Sequence, residues 1–359
     1  METKDIIIII LAIIIILYNW NNITKLYKRI NKNINPIKHK EIQSDISLIT
    51  KEQDVIQKHI QSDISENIRN KKLRQLLIYI LENGKKIRPI IIISTYKHLN
   101  KTEQVPEYII NTALCIEYIH SASLVIDDIM DNDEERRGKP SAHIKYDLNM
   151  AQLAAIILCT LAMQNLFKSL DQLTKAHSNI NKDIYVILGN LISQLTKELC
   201  IGQYLDITIP KNINELGDNI KDSIKFGKLE TTIEELIHKK TSTLFEFCFI
   251  IPWVYSNYDK SEGELLTGIN KMKNIARHFG LIFQITDDFE DVEQDSQRDG
   301  KNSVMNYVIS KGYYDAYKDY HKLVKKFNKL IEDENIMTPE INQIVDYLSK
   351  KVDVYYSHC

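Results

Sequence analysis

Apolar and polar positions along this chain follow a helical period, not a strand period. Segments of helical length recur at about 56–82, 89–99, 106–133, 149–174, 182–206, 227–250 and 267–295, with two or three more before the C-terminus. Strand-like alternation bounded by hairpin signals is absent, and Pro and Gly are scarce between the breaks. The pattern predicts an all-α bundle. One segment stands apart: residues 6–17 are an unbroken apolar run, shorter alone than the roughly 20 residues that span a bilayer. Tyr18 and Trp20 suit an interface, and Ile23-Thr24 extend the run before Lys25, Lys28, Arg29 and Lys32. A buried strand and a cleaved signal peptide are the alternatives. A signal peptide favours a positive start and a small-residue cleavage site, whereas Glu2 and Asp5 offset Lys4 here. Residues 1–24 are therefore read as an uncleaved membrane anchor, 25–55 as polar linker and 56–359 as the main domain. The positive-inside bias puts that domain in the cytosol.

Two acidic clusters, Asp127-Asp128-Ile-Met-Asp131 and Asp287-Asp288-Phe-Glu-Asp291, repeat one pattern at the ends of long apolar runs. Residues four apart share a helix face, so Asp127 stands beside Asp131 and Asp287 beside Asp291; such pairs cost a few tenths of a kcal/mol unless a cation intervenes. The first cluster falls in the last turns of a helix that starts near Pro106, where the dipole is negative and a cation more welcome. A single acidic run reads most simply as a solvated helix end; two matched copies point to metal. Oxygen-only ligands favour a hard ion such as Mg²⁺. An EF-hand is excluded, because Arg136 stands where that loop needs glycine.

Charge usage adds a second line. Of 46 Lys plus Arg, only positions 29, 69, 74, 88, 136, 137, 277 and 298 are arginine. A guanidinium fork binds phosphate bidentately where lysine acts as a point charge. Arg88 lies in Gly84-Lys85-Lys86-Ile87-Arg88-Pro89, and Arg136-Arg137 follow the first cluster, where they could instead merely neutralise Asp133 to Glu135. No Gly-rich phosphate loop is present. A phosphate-bearing ligand would be held by metal and side-chain cations.

In order along the chain, Asn83-Gly-Lys-Lys-Ile-Arg-Pro89, Glu117 to Asp131 with Arg136-Arg137-Gly138, Gly202-Gln203-Tyr-Leu-Asp206, Lys240-Thr241 and Phe283-Gln284 to Asp291 resemble the motifs of the trans-isoprenyl diphosphate synthases, the polyprenyl synthetases. The likeness runs from about residue 55 to the C-terminus. Asn83 and Lys86 depart from the usual glycine and arginine. The resemblance implies the isoprenoid-synthase fold, a helical bundle with both aspartate motifs on one central cavity, and makes 56–359 the catalytic domain. It implies head-to-tail condensation of isopentenyl diphosphate with dimethylallyl, geranyl or farnesyl diphosphate, with roughly three Mg²⁺ per site (Mn²⁺ as alternative), and a homodimer.

Residue by residue, the resemblance assigns Asp127, Asp128, Asp131, Asp287, Asp288 and Asp291 to metal. Arg136, Lys240 and Lys301 would hold the allylic diphosphate, with Lys311 competing for the last role. Lys85, Arg88, His120 and Arg137 would hold isopentenyl diphosphate, although His120 alone could be a core histidine. Thr241 and Gln284 would line the cation pocket, while Gln203 and Asp206 support the metal and Lys240. Small residues Ser123 and Ala122 before Asp127, with Tyr118 and Ile119 a turn deeper as a floor, imply geranylgeranyl diphosphate as product. A class I terpene cyclase would carry a different second metal motif, and a non-catalytic regulatory subunit commonly loses one. Neither departure is seen.

Composition changes the picture little. At 359 residues and 44% hydrophobic the chain can bury a large core, and a net charge of −2 argues against nucleic acid. Five cysteines without paired spacing suit a reducing compartment. Deleting residues 1–24 is expected to move the protein from the membrane pellet to the soluble fraction. A native N-terminus that begins after this segment would instead identify a cleaved signal.

Overall fold

Burial of helix faces accounts for the bundle. A computed structural model describes residues 47–82, 84–181, 183–216, 228–296 and 306–357. The chain divides into residues 1–46 and Ser47–Cys359, and the proposed anchor lies outside the described residues.

Helix α1 (Ser47–Asn67) begins inside the stretch read as linker. Its Ile49, Ile56, Ile60 and Ile64 are all buried, at the spacing of one helix face. The single helix expected over 56–82 is two. Asn70 caps α2 (Lys71–Leu81) by accepting from the Leu73 amide, which satisfies a donor that the helix start leaves open. Next come α3 (Ile87–Asn100) and α4 (Glu107–Asp131).

A correction follows α4. Glu135–Arg136 and Lys139–Pro140 pair as a two-stranded antiparallel hairpin, although no strand was expected. Arg137 and Gly138, at φ 55° and 75°, form the left-handed two-residue turn that suits the twist of a tight hairpin. Beyond it lie α5 (Ala142–Lys145), α6 (Leu148–Ala176) and α7 (Asp183–Leu216).

Helix α8 (Lys228–Ile237) does not run straight into α9 (Thr243–Ser256). A π-helical turn, His238–Ser242, intervenes. This turn corrects the uninterrupted helix expected over 227–250, and such turns often mark functional positions. The chain finishes with α10 (Glu262–Asp295), α11 (Tyr307–Lys311), α12 (Tyr313–Asp333) and α13 (Pro339–Ser357).

Helices α4 and α9 form the centre. Tyr108 to Tyr118 of α4 are buried throughout, as are Thr243 to Pro252 of α9. Helix α4 packs on α6 and α3, and α9 on α10 and α3. A helix that is apolar all round belongs inside. The acidic ends of α4 and α10 are thereby fixed to rigid core elements.

Candidate active site

The hairpin after α4 turns Arg136 back onto that helix. Its Nε donates to Asp128 Oδ1 at 2.7 Å, and Nη2 bonds the same oxygen. The Asp127 and Asp133 carboxylates lie 3.8 and 3.7 Å from Nη2. Burial pushes the Asp128 carboxyl up, and Arg136 opposes that shift. In this structure Arg136 hydrogen-bonds Asp128, while Asp127 meets the same guanidinium only as a longer ion pair.

Asp127 has other partners. Gln203 Nε2 donates to its Oδ1 at 2.8 Å, and the Lys240 ammonium reaches the same oxygen at 3.1 Å. Lys240 also pairs with Asp206. Burial works against the Lys240 charge, yet Asp206 and Asp127 outweigh it and hold the ammonium above its usual range. The Gly202 to Asp206 motif on α7 therefore touches the first cluster directly through Gln203 and positions Lys240 through Asp206.

The next residue continues the chain of contacts. Thr241 Oγ1 donates to Gln284 Oε1 at 2.6 Å, and Gln284 Nε2 donates to Asp288 Oδ1 at 2.9 Å. The Tyr307 amide donates to the other Asp288 oxygen at 2.8 Å. Burial still pushes Asp288 up to about 7. Asp131 and Asp291 are exposed, and each is pushed up to about 6, first by surrounding protein and then by Asp127 or Asp287 respectively. Asp287 is raised by burial, with Lys351 the largest opposing charge.

Arg88 is buried, with its guanidinium carbon 4.4 Å from the Phe245 ring centroid and 5.8 Å from that of Phe283. Arg88 Nη1 donates to His120 Nε2 at 3.1 Å. Burial and then the Arg88 charge push His120 well below its ordinary value, so the ring is neutral near pH 7 and able to accept. Arg88 Nε has no hydrogen-bond partner among the described residues. A buried unpartnered donor is costly, and an anion would satisfy it. Lys85 is exposed, its ammonium 5.4 Å from the Tyr347 ring centroid. Lys86, the departure from the family pattern, turns inward to a fully buried pair with Glu117 at 2.8 Å. Arg137 is exposed on the hairpin turn.

Lys301 lies outside the described residues. Its competitor Lys311 sits 4.0 Å from Asp319 and against the ring of Tyr307, the residue whose amide bonds Asp288. One participant escaped sequence reasoning: Lys351 on α13, 2% exposed, pairs with Glu290, which also accepts from the Tyr355 hydroxyl at 3.2 Å. No local pattern around Lys351 marks it, because its partner is brought there by packing of α13 on α10.

The expected floor residue Tyr118 is elsewhere. Its hydroxyl donates to Asp63 Oδ2 at 2.8 Å, on the side of α4 that faces α1. The face of α4 that carries Asp127 carries Ser123, Ile119 and Ile116 at helical spacing. Ile116 and Ile119 line an apolar cleft with Leu195, Leu199, Leu244 and Phe247.

The donor set fits a hard cation. It consists of carboxylate oxygens, and burial first, then neighbouring carboxylates, raises Asp131 and Asp291. Among the described residues no three acidic, His or Cys side chains already converge as a closed cage, and Mg²⁺ uses only one or two carboxylates together with substrate phosphates.

Residues 70–345 match the polyprenyl synthetase family model. Over 225 residues the chain is 32% identical to a short chain isoprenyl diphosphate synthase of Methanocaldococcus jannaschii, covering 62% of this chain and 58% of that protein. It is 31% identical over 248 residues to the chloroplastic geranylgeranyl pyrophosphate synthase of Catharanthus roseus, covering 68% and 61%. The matches thus span about three fifths of the length of these relatives. A geranyltransferase of Helicobacter pylori, solved with magnesium and isoprenyl diphosphate, shares the fold at 21% identity, with a TM-score of 0.59 over 88% of this chain and 98% of that one. With its motifs in order on the matching bundle, the chain belongs to the polyprenyl synthetase family.

Proposed function

We propose that this protein is a Mg²⁺-dependent trans-prenyltransferase that joins isopentenyl diphosphate to an allylic diphosphate. One observation carries this reading: a continuous run of contacts links the two acidic clusters, from Asp127 through Lys240 and its neighbour Thr241 to Gln284 and Asp288. Both clusters can therefore grip one diphosphate.

Asp127 and Asp131 on one side, with Asp287, Asp288 and Asp291 on the other, would hold Mg²⁺. Asp128 and Asp206 instead act through Arg136 and Lys240. Bound Mg²⁺ supplies positive charge where the departing diphosphate becomes more negative. Lys240 and Arg136 hold the allylic diphosphate; Lys85, Arg88, neutral His120 and Arg137 hold isopentenyl diphosphate. The allylic C–O bond breaks, the isopentenyl double bond attacks the resulting cation, and a proton leaves to the released diphosphate. Phe245 and Phe283 beside Arg88 keep water from that cation. No protein nucleophile is required.

The exposed apolar face of α6 and α7, including Ile156, Phe167 and Val186, supports a homodimer. These helices are long and apolar enough to cross a membrane by length and composition, but α6 packs on the central helix α4. The run at residues 6–17 and the basic residues after it support a membrane anchor, with the catalytic domain on the cytosolic side.

The purified protein with Mg²⁺, dimethylallyl diphosphate and isopentenyl diphosphate should release inorganic diphosphate and a longer prenyl diphosphate. Asp127→Ala or Asp288→Ala should each lower turnover by roughly 100-fold or more. A cyclised hydrocarbon, or activity only with an added synthase, would replace this reading by a cyclase or a regulatory subunit.

Carboxyls raised in the fold bind protons more tightly folded than unfolded. Their stabilisation is complete below the ordinary carboxylate range and is lost as pH rises through about 7 for Asp288 and about 6 for Asp131 and Asp291. A divalent cation replaces those protons. Mg²⁺ should raise Tm more at pH 8 than at pH 5, and Asp288→Asn should flatten the difference.

Geranylgeranyl diphosphate is the product we propose, because Ser123 is small on the α4 face that carries Asp127 and the larger Ile119 and Ile116, further back on that face, line the apolar cleft. Ser123→Phe should shorten the product and Ile119→Ala lengthen it, read by chromatography after dephosphorylation. Tyr118→Ala should leave product length unchanged, since that side chain faces Asp63.

A further inference from the structure

Three consecutive side chains of the π-helical turn have different partners. Lys239 pairs with Glu198, Lys240 with Asp127 and Asp206, and Thr241 with Gln284. Ser242 is fully buried, with its hydroxyl unpartnered among the described residues. A wider turn holds these directions only if its backbone is gripped. Two glycines meet it from opposite helices. A Cβ on Gly202 of α7 would stand 2.6 Å from the Lys240 nitrogen and 2.9 Å from its Cα. A Cβ on Gly280 of α10 would stand 2.6 Å from the Ser242 Cα and closer still to its hydroxyl. These are backbone approaches, so no rotamer change relieves them.

We propose that Gly202 and Gly280 are positioning residues: they clamp the π-helical turn from α7 and α10, and so set Lys240 against the first acidic cluster and Thr241 against the second. Each glycine lies on a helix that also supplies a partner of the turn. Gly202 precedes Gln203 and Asp206, and Gly280 precedes Gln284 by one helical turn. A displacement of the turn by about an ångström therefore moves the ammonium relative to both Asp127 and Asp206 at once. Losses near 100-fold are common for misplacement on that scale. Helix propensity alone favours alanine at either position, which separates the clamp from any general effect of glycine.

The inference rests on the proposed prenyl transfer, and wild-type turnover tests that reading separately. With an active wild type, Gly202→Ala in the full chain should lower kcat/KM for the allylic diphosphate about 100-fold and leave KM for isopentenyl diphosphate unchanged. Gly189→Ala on the same helix, where nothing lies within 4 Å of the new Cβ, should match wild type. Adding Gly202→Ala to Lys240→Ala should cost little more, because the glycine acts through that lysine. Should Gly202→Ala fail to fold, Gly280→Ala combined with Thr241→Ala runs the same cycle. Wild-type kinetics in the glycine variant, equal KM changes for both substrates, or losses that multiply in the cycle would overturn the clamp.

Discussion

The structure turns on the placement of one ammonium among crowded carboxylates. Lys240 stands between Asp127 and Asp206, and its charge is held there by the very groups it relieves. The carboxylates at the ends of α4 and α10 would repel one another and oppose both helix dipoles if left alone. Lysine and arginine offset part of that repulsion. Burial, and behind it the neighbouring carboxylates, still raises Asp131, Asp288 and Asp291, and a divalent cation is the charge we propose to relieve both.

Rigidity comes from the core beneath. Helices α4 and α9 are buried almost all round, so the acidic turn and the π-helical turn are carried by elements that have little room to move. The hairpin after α4 performs a separate task. By reversing the chain over two residues it returns Arg136 to Asp128 and leaves Arg137 exposed beside it. Adjacent arginines thus acquire different surroundings. Lys86 shows the converse: a cation inside a phosphate-like motif is spent within the protein on Glu117, while Lys85 stays outside.

Much of this was legible in order along the chain. Apolar periodicity identified the helices, since a 3.6-residue repeat requires no knowledge of partners. The paired carboxylates, the retained arginines and Lys240-Thr241 were visible as motifs, and most of them converge. What failed did so for identifiable reasons. Asn70 looks like any polar residue until its side chain caps Leu73. Arg137-Gly138 announces a turn only weakly, because arginine seldom adopts a left-handed conformation. Tyr118 was read as a floor two turns before the acidic cluster, yet packing places its hydroxyl beside Asp63.

Sequence by itself determined composition of faces: which helices are apolar, where acids pair, and which cations accompany them, all matters of spacing within one element. Only tertiary structure decided which groups meet. Lys351 reaches Glu290 from a helix 61 positions away, and Gln203 reaches Asp127 across 76. The π-helical turn likewise depends on close backbone approach by Gly202 and Gly280, each on a different helix. Contacts between distant segments are fixed by how whole faces pack, and no local repeat encodes that register.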